Sequence, residues 1–118
     1  MVRPGCLLAT LALLLAGCTP QARVHGGDPE RGRLLMAQYQ CGSCHAAPDV
    51  PGVERPLGPS LHGFGRRSYI AGRVPNGPST LARWLQDPPA LVPGTVMPRL
   101  GVSALDARDM AAYLLSLE

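Results

Sequence analysis

The sequence predicts one small all-α domain, and three observations carry that reading. Segments near residues 28–39, 80–86 and 103–117 place apolar residues at helical spacing behind residues that cap helices well. No stretch shows the polar–apolar alternation of a half-buried strand. The whole chain is 118 residues, with no internal repeat and room for one domain at most.

The first part of that length is not domain. Arg3 is followed by an apolar run over residues 7–16, which is too short to span a bilayer, since a transmembrane helix needs about 20 apolar residues. Residues 1–17 therefore read as a secretion signal. It ends Leu15-Ala16-Gly17-Cys18, which resembles the lipobox of bacterial lipoproteins. That resemblance implies cleavage before Cys18, lipid on Cys18, and anchoring to a bacterial membrane on its extracytoplasmic, periplasmic side. Thr19 after the lipid cysteine resembles the sequence context of outer-membrane sorting, so either membrane of a two-membraned cell is open. Removal of the signal leaves about 100 residues and takes Arg3 from a net charge of +3. So small a charge does not point to nucleic acid, which is met by a strongly basic face. All eleven basic residues are Arg, a bias that a GC-rich genome explains. Cys6 leaves with the signal and Cys18 takes lipid, so the fold keeps Cys41 and Cys44 alone.

Residues 18–27 read as the lipidated cysteine and a tether: no apolar period, then Gly26-Gly27. As a flexible coil, residues 19–27 would span about 15–18 Å. The domain proper is residues 28–118. Its first helix starts with Asp28 as N-cap, Pro29 at the first helical position and Glu30 in the first turn, and runs to about Tyr39 carrying Leu34, Leu35 and Met36. Residues 46–79 are rich in Pro and Gly and read as loop. A structureless loop of that length inside a compact domain needs an explanation, and a large buried cofactor would supply one. A second helix over residues 80–86 is capped by Ser79 and stops before Pro88-Pro89. The last helix opens with Ser103-Ala104-Leu105-Asp106 as a capping box, and Met110, Tyr113, Leu114 and Leu117 make its apolar face. Three helices with only five aromatic residues make a thin core, and domains this small lean on a metal or cofactor.

The chemistry lies in Cys41-Gly42-Ser43-Cys44-His45, the attachment signature of c-type haem. Two cysteines three apart at a helix end can each form a thioether with one vinyl group of a single haem, while the adjacent histidine lies under the iron. A disulfide would leave His45 and the thin core as coincidences. Half a zinc site would have only His25 and His62 to complete it. A thioredoxin-like pair would need strand–helix alternation. For the sixth ligand, Met97 sits in the rigid loop Pro93-Gly94-Thr95-Val96-Met97-Pro98, whereas Met36 and Met110 lie on helix faces and read as core. A thioether favours ferrous iron and raises the potential relative to two histidines. His62 is the rival ligand but reads as an exposed turn residue, and His25 as solvated tether. A filled sixth site argues for an electron carrier and against peroxide chemistry or gas sensing, both of which need open iron.

With these pieces in order, the chain resembles the class I c-type cytochromes over essentially the whole domain. Gly32 comes first, then Cys41 to His45, Gly58-Pro59-Ser60-Leu61-His62-Gly63, Pro93 to Met97, and Ala111-Ala112-Tyr113-Leu114. Residues 76–98, with Trp84 and Asp87-Pro88, are especially similar to the cytochrome domain fused to subunit II of some haem–copper oxidases. The resemblance implies a class I cytochrome c fold, three main helices wrapped around one covalently bound haem c. It implies that Pro59 accepts the His45 Nδ1 proton, that Trp84 lies against the haem beside Met97, and that Thr95, Arg66 and Asn76 meet its propionates. Gly32 would let the first and last helices cross closely. Met36 stands where many relatives carry Phe, and the family's lysine-rich docking ring is absent, so a basic docking face would be Arg. The expected function is a membrane-tethered, mono-haem carrier of single electrons, a monomer or a subunit of a respiratory complex. A quinol-oxidising complex would be donor and a terminal haem–copper oxidase acceptor, with the lipid replacing the fusion.

Overall fold

The computed structural model describes residues 23–118. The expected signal and the lipid site Cys18 lie outside the described residues. Among these, four α-helices carry the fold: α1 (Pro29–Gln38), α2 (Pro78–Gln86), α3 (Pro88–Leu91) and α4 (Ala104–Ser116). Two single 3₁₀ turns, Cys41–Ser43 and Phe64–Arg66, and a two-residue hairpin, β1 (Tyr69–Ile70) and β2 (Val74–Pro75), complete it. The mostly helical architecture agrees with the expected all-α class. No helix among the described residues is long and apolar enough to cross a membrane.

α1 begins where its cap dictates. The Asp28 carboxylate accepts from the Glu30 and Arg31 amides at 3.0 Å each, and Pro29 needs no partner for an amide hydrogen that it lacks. Gly32, Leu35 and Met36 face inward, whereas Leu34 is exposed. α4 opens with Ser103 Oγ accepting from the Asp106 amide at 3.1 Å. The other half of the expected capping box does not form. The Asp106 carboxylate is instead held across the helix crossing by Arg31 at 2.6 Å and the Tyr39 hydroxyl at 2.7 Å. An ion pair between elements wins over a local bond. Beside it the buried Asp109 accepts from the Asp28 amide at 3.0 Å and from Arg31. These bonds tie α1 to α4 where Gly32 meets the Asp109 carbonyl. A Cβ on Gly32 would stand 2.0 Å from that oxygen, so only glycine permits the crossing.

Three expectations need correction. α2 starts two residues before residue 80, with Pro78 in its first turn and Gly77 as N-cap. Ser79 lies inside the helix and caps nothing, because proline's fixed φ already suits the first turn. The chain after Asp87 turns helical again as α3. Asp87 accepts from the Ala90 amide at 3.2 Å, and both prolines occupy positions that need no donor. The region expected to lack strand holds a short antiparallel hairpin, Tyr69 opposite Pro75 and Ile70 opposite Val74. Its turn puts Ala71 and Gly72 at φ 49° and 67°, the left-handed geometry of tight hairpins.

Residues 24–27, read from composition as part of a tether, close a turn. The Gly27 amide donates to the Val24 carbonyl at 3.1 Å, and Val24 packs against the core.

Candidate functional site

α1 ends at Gln38, and Gln40 at φ 57° reverses the chain into the Cys41–Ser43 turn. That turn is pinned from outside. A Cβ on Gly42 would stand 1.8 Å from the Pro51 carbonyl oxygen, so the loop crosses directly over the backbone between the two cysteines. Both thiols are free, Cys41 buried and Cys44 exposed. Burial pushes the Cys41 thiol up to about 11, which keeps it protonated at neutral pH. His45 follows, its amide bonded to the Cys41 carbonyl at 2.9 Å.

The His45 ring is fixed by one hydrogen bond, from Nδ1 to the Pro59 carbonyl at 2.7 Å. A carbonyl only accepts, so the proton sits on Nδ1, and Nε2 keeps its lone pair as a ligand nitrogen must. Gly58 makes the arrangement possible, since a Cβ there would lie 2.6 Å from His45 Cε1.

Cys41, Cys44, His45, Pro59, Trp84, Thr95 and Met97 all line one cavity of about 340 Å³. Its walls are largely apolar, with Met36 from α1, Leu81 and Leu85 from α2 and Leu114 from α4. The Pro- and Gly-rich loop closes the side through Leu61, Phe64 and Ile70. Leu57 and Val96, 93% and 99% exposed, stand at the mouth. Met97 reaches the wall from a loop bent by Gly94 at φ 85°. The Thr95 hydroxyl accepts from the Met97 amide at 3.3 Å, so Thr95 shapes the Met97 loop as well as lining the cavity.

Two expected site residues do not come to the wall. Arg66 is exposed and folds back over Gly63. Asn76 spends its amide group on the Arg67 and Phe64 carbonyls, at 3.0 and 3.4 Å, and its buried Oδ1 has no partner. The cation that lines the cavity is Arg67, which donates to the Ser60 carbonyl and stands 5.4 Å over the Phe64 ring. Arg67 is the extended residue that closes the Phe64–Arg66 turn, its amide bonded to the Phe64 carbonyl at 3.0 Å, and nothing in the sequence marked it over Arg66. His62 is exposed, bonded to Ser60 Oγ at 3.0 Å, and does not line the cavity. His25 is exposed in the docked turn.

The wall fits a flat, mostly apolar macrocycle. Two free thiols lie at one end to bind it, an imidazole nitrogen and a thioether sulfur suit a transition metal, and one arginine suits a carboxylate.

Residues 29–118 match the protein family described as Cytochrome c. The chain is 37% identical over 89 residues to cytochrome c oxidase subunit 2 of Alkalihalophilus pseudofirmus, across 75% of this chain and 25% of that one. It is 33% identical over 102 residues to cytochrome c of Gibberella zeae, across 75% of this chain and 93% of that one. It is also 34% identical over 101 residues to cytochrome c of Ginkgo biloba, across 75% and 87%. The chain thus spans about a quarter of the length of the oxidase subunit.

Proposed function

Because the chain belongs to the cytochrome c family and is therefore an electron-carrying protein with covalently attached haem c, we propose that it works as a membrane-tethered mono-haem carrier in an extracytoplasmic respiratory chain. Cys41 and Cys44 would hold the haem covalently, His45 and Met97 would supply its iron ligands, and lipid on Cys18 would hold the domain at a bacterial membrane. The observation that carries the ligand set is the convergence of these four side chains, from two separate loops, on one cavity. When bound, the haem supplies a reversible one-electron iron couple.

The protein's own part is positional. The Pro59 carbonyl accepts a hydrogen bond from His45 Nδ1, which fixes the ring and would leave Nε2 as the ligand nitrogen. Thr95 and Gly94 hold the Met97 loop, which would keep the sulfur positioned as a ligand. Met36, Leu81, Leu85 and Leu114 keep water from the inner wall, and Arg67 offers charge to a propionate. With two fixed ligands the chain exchanges electrons without offering iron to small molecules, which separates a carrier from an enzyme.

A redox protein partner follows from the family. The similarity to a cytochrome c oxidase subunit 2 supports a terminal oxidase as acceptor; a quinol-oxidising complex as donor is the companion proposal. The test is the optical spectrum of the holoprotein, oxidised, reduced, and reduced under carbon monoxide. A far-red methionine-to-ferric-iron band and no carbon monoxide shift support the carrier. Absence of that band with ready carbon monoxide binding overturns it and makes an open-iron enzyme or sensor the better reading.

A further inference from the structure

The turn at residues 24–27 lies against α4 on the side away from the cavity. Gly27 closes it on Val24, and a cleft of about 240 Å³ lies where it meets Ala112, Leu115 and Ser116. A side chain at Gly26 would meet Arg108 one turn earlier on the same helix. Leu114, by contrast, is part of the cavity wall. Ala112 and Leu114 are two residues apart, about 200° around a helix, and so point in nearly opposite directions. α4 therefore stands between the entering chain and the cofactor site.

Only six residue steps separate Cys18 from the docked Val24, at most about 20–22 Å of fully extended chain. We propose that this docking fixes which way the domain faces: the Arg108–Ala112–Ser116 face of α4 lies toward the bilayer and the cavity mouth lies on the far side. Arg23 and Arg108, exposed and without ion-pair partners among the described residues, suit anionic headgroups there. The mouth at Leu57 and Val96 then stands more than a helix diameter, about 10 Å, further from the membrane. The electron partner it fits is a protein domain projecting above the bilayer, not a quinol dissolved within it. This inference rests on the lipid at Cys18.

The experiment places lipidated holoprotein, reduced to remove the iron's own paramagnetism, in nanodiscs carrying a headgroup nitroxide lipid, and reads amide broadening by NMR. Broadening concentrated at Arg108, Ala112, Leu115 and Ser116 and at least several-fold weaker at Leu57 and Val96 is the expected result. Even broadening, or the reverse pattern, overturns the proposal. Gly27→Leu drives a side chain into Ala112 and the Arg108 carbonyl. With its optical spectrum unchanged, it is expected to abolish the contrast, and a contrast that survives shows that the turn does not set the orientation. The lipid itself is read separately, from the mass of the N-terminal peptide of protein extracted from cells. Should Cys18 carry none, tethering fails, yet holoprotein coupled through Cys18 to a maleimide phospholipid still reports the facing of the domain.

Discussion

Met97 and His45 are held by different means, and their substitution has different consequences. Met97→Ala removes the thioether and nothing that supports the His45 ring. The expected outcome is loss of the far-red band and new carbon monoxide binding, with the thioether bonds intact by mass spectrometry. Met97→His keeps six ligands but lowers the midpoint potential by a sizeable part of the ~0.8 V that axial ligands command, read by redox titration. The neighbouring arginines separate just as cleanly. Arg67→Gln takes a positive charge from the cavity wall and is expected to lower the potential by on the order of tens of millivolts after solvent screening, while Arg66→Gln leaves it nearly unchanged. A reversed ranking would return the propionate role to Arg66. Motif and loop chemistry marked Cys41, Cys44, His45 and Met97 as candidates in the sequence, and all four line the cavity. The sequence could not rank Arg66 against Arg67, because the Phe64–Arg66 turn ends between them and nothing in the sequence marks that end.

The element that makes the fold pH-sensitive is the crossing of α1 and α4. The Asp28 amide, then Arg31, hold the Asp109 carboxyl below the usual carboxylate range, and Tyr39 and Arg31 do the same for Asp106. A depressed folded value means that the stabilisation is complete above the unfolded value of about 3.9 and is lost as pH falls through the folded values. Acid unfolding of the holoprotein should therefore be steep below about pH 4. Asp106→Asn should flatten that limb in circular dichroism while sparing stability at pH 7 less than a surface change would. Gly32→Ala acts at the same place by volume. A Cβ 2.0 Å from a backbone oxygen forces the helices apart and should cost about 1–3 kcal/mol or more in urea denaturation. Both ends of this crossing were legible, since Asp28 and Ser103 are strong caps before apolar runs. α3 and the hairpin were not. Pro88-Pro89 reads as a stop as readily as a first turn, and Ala71 in left-handed geometry has no sequence mark.

At the scale of the whole molecule the core is built around the cavity and not beside it. Leaving about 340 Å³ unfilled would cost on the order of 8 kcal/mol at about 24 cal/mol per Å³, an upper figure because the mouth is open. That is comparable to the entire stability of a small domain. A Cys41→Ala, Cys44→Ala chain expressed without attached haem is expected to lose cooperative thermal unfolding and most of its fixed tertiary signal. A sharp melting transition near that of the holoprotein would show that the fold does not depend on its cofactor. The reach of the sequence ended here too: it implied a thin core, but not which loops would close over the gap.

The bond between the Asp28 amide and Asp109 joins residues 81 apart, so the first helix finds its main partner only in the last. A chain still being made has no such partner until Asp109 on α4, 81 residues later, is available. Closing so long a loop is slow compared with forming the helices themselves. Order of synthesis thus leaves Cys41 and Cys44 on an open strand of chain for most of the time before folding. The clasp that makes the finished domain rigid is also a delay, during which both thiols stay open to reaction.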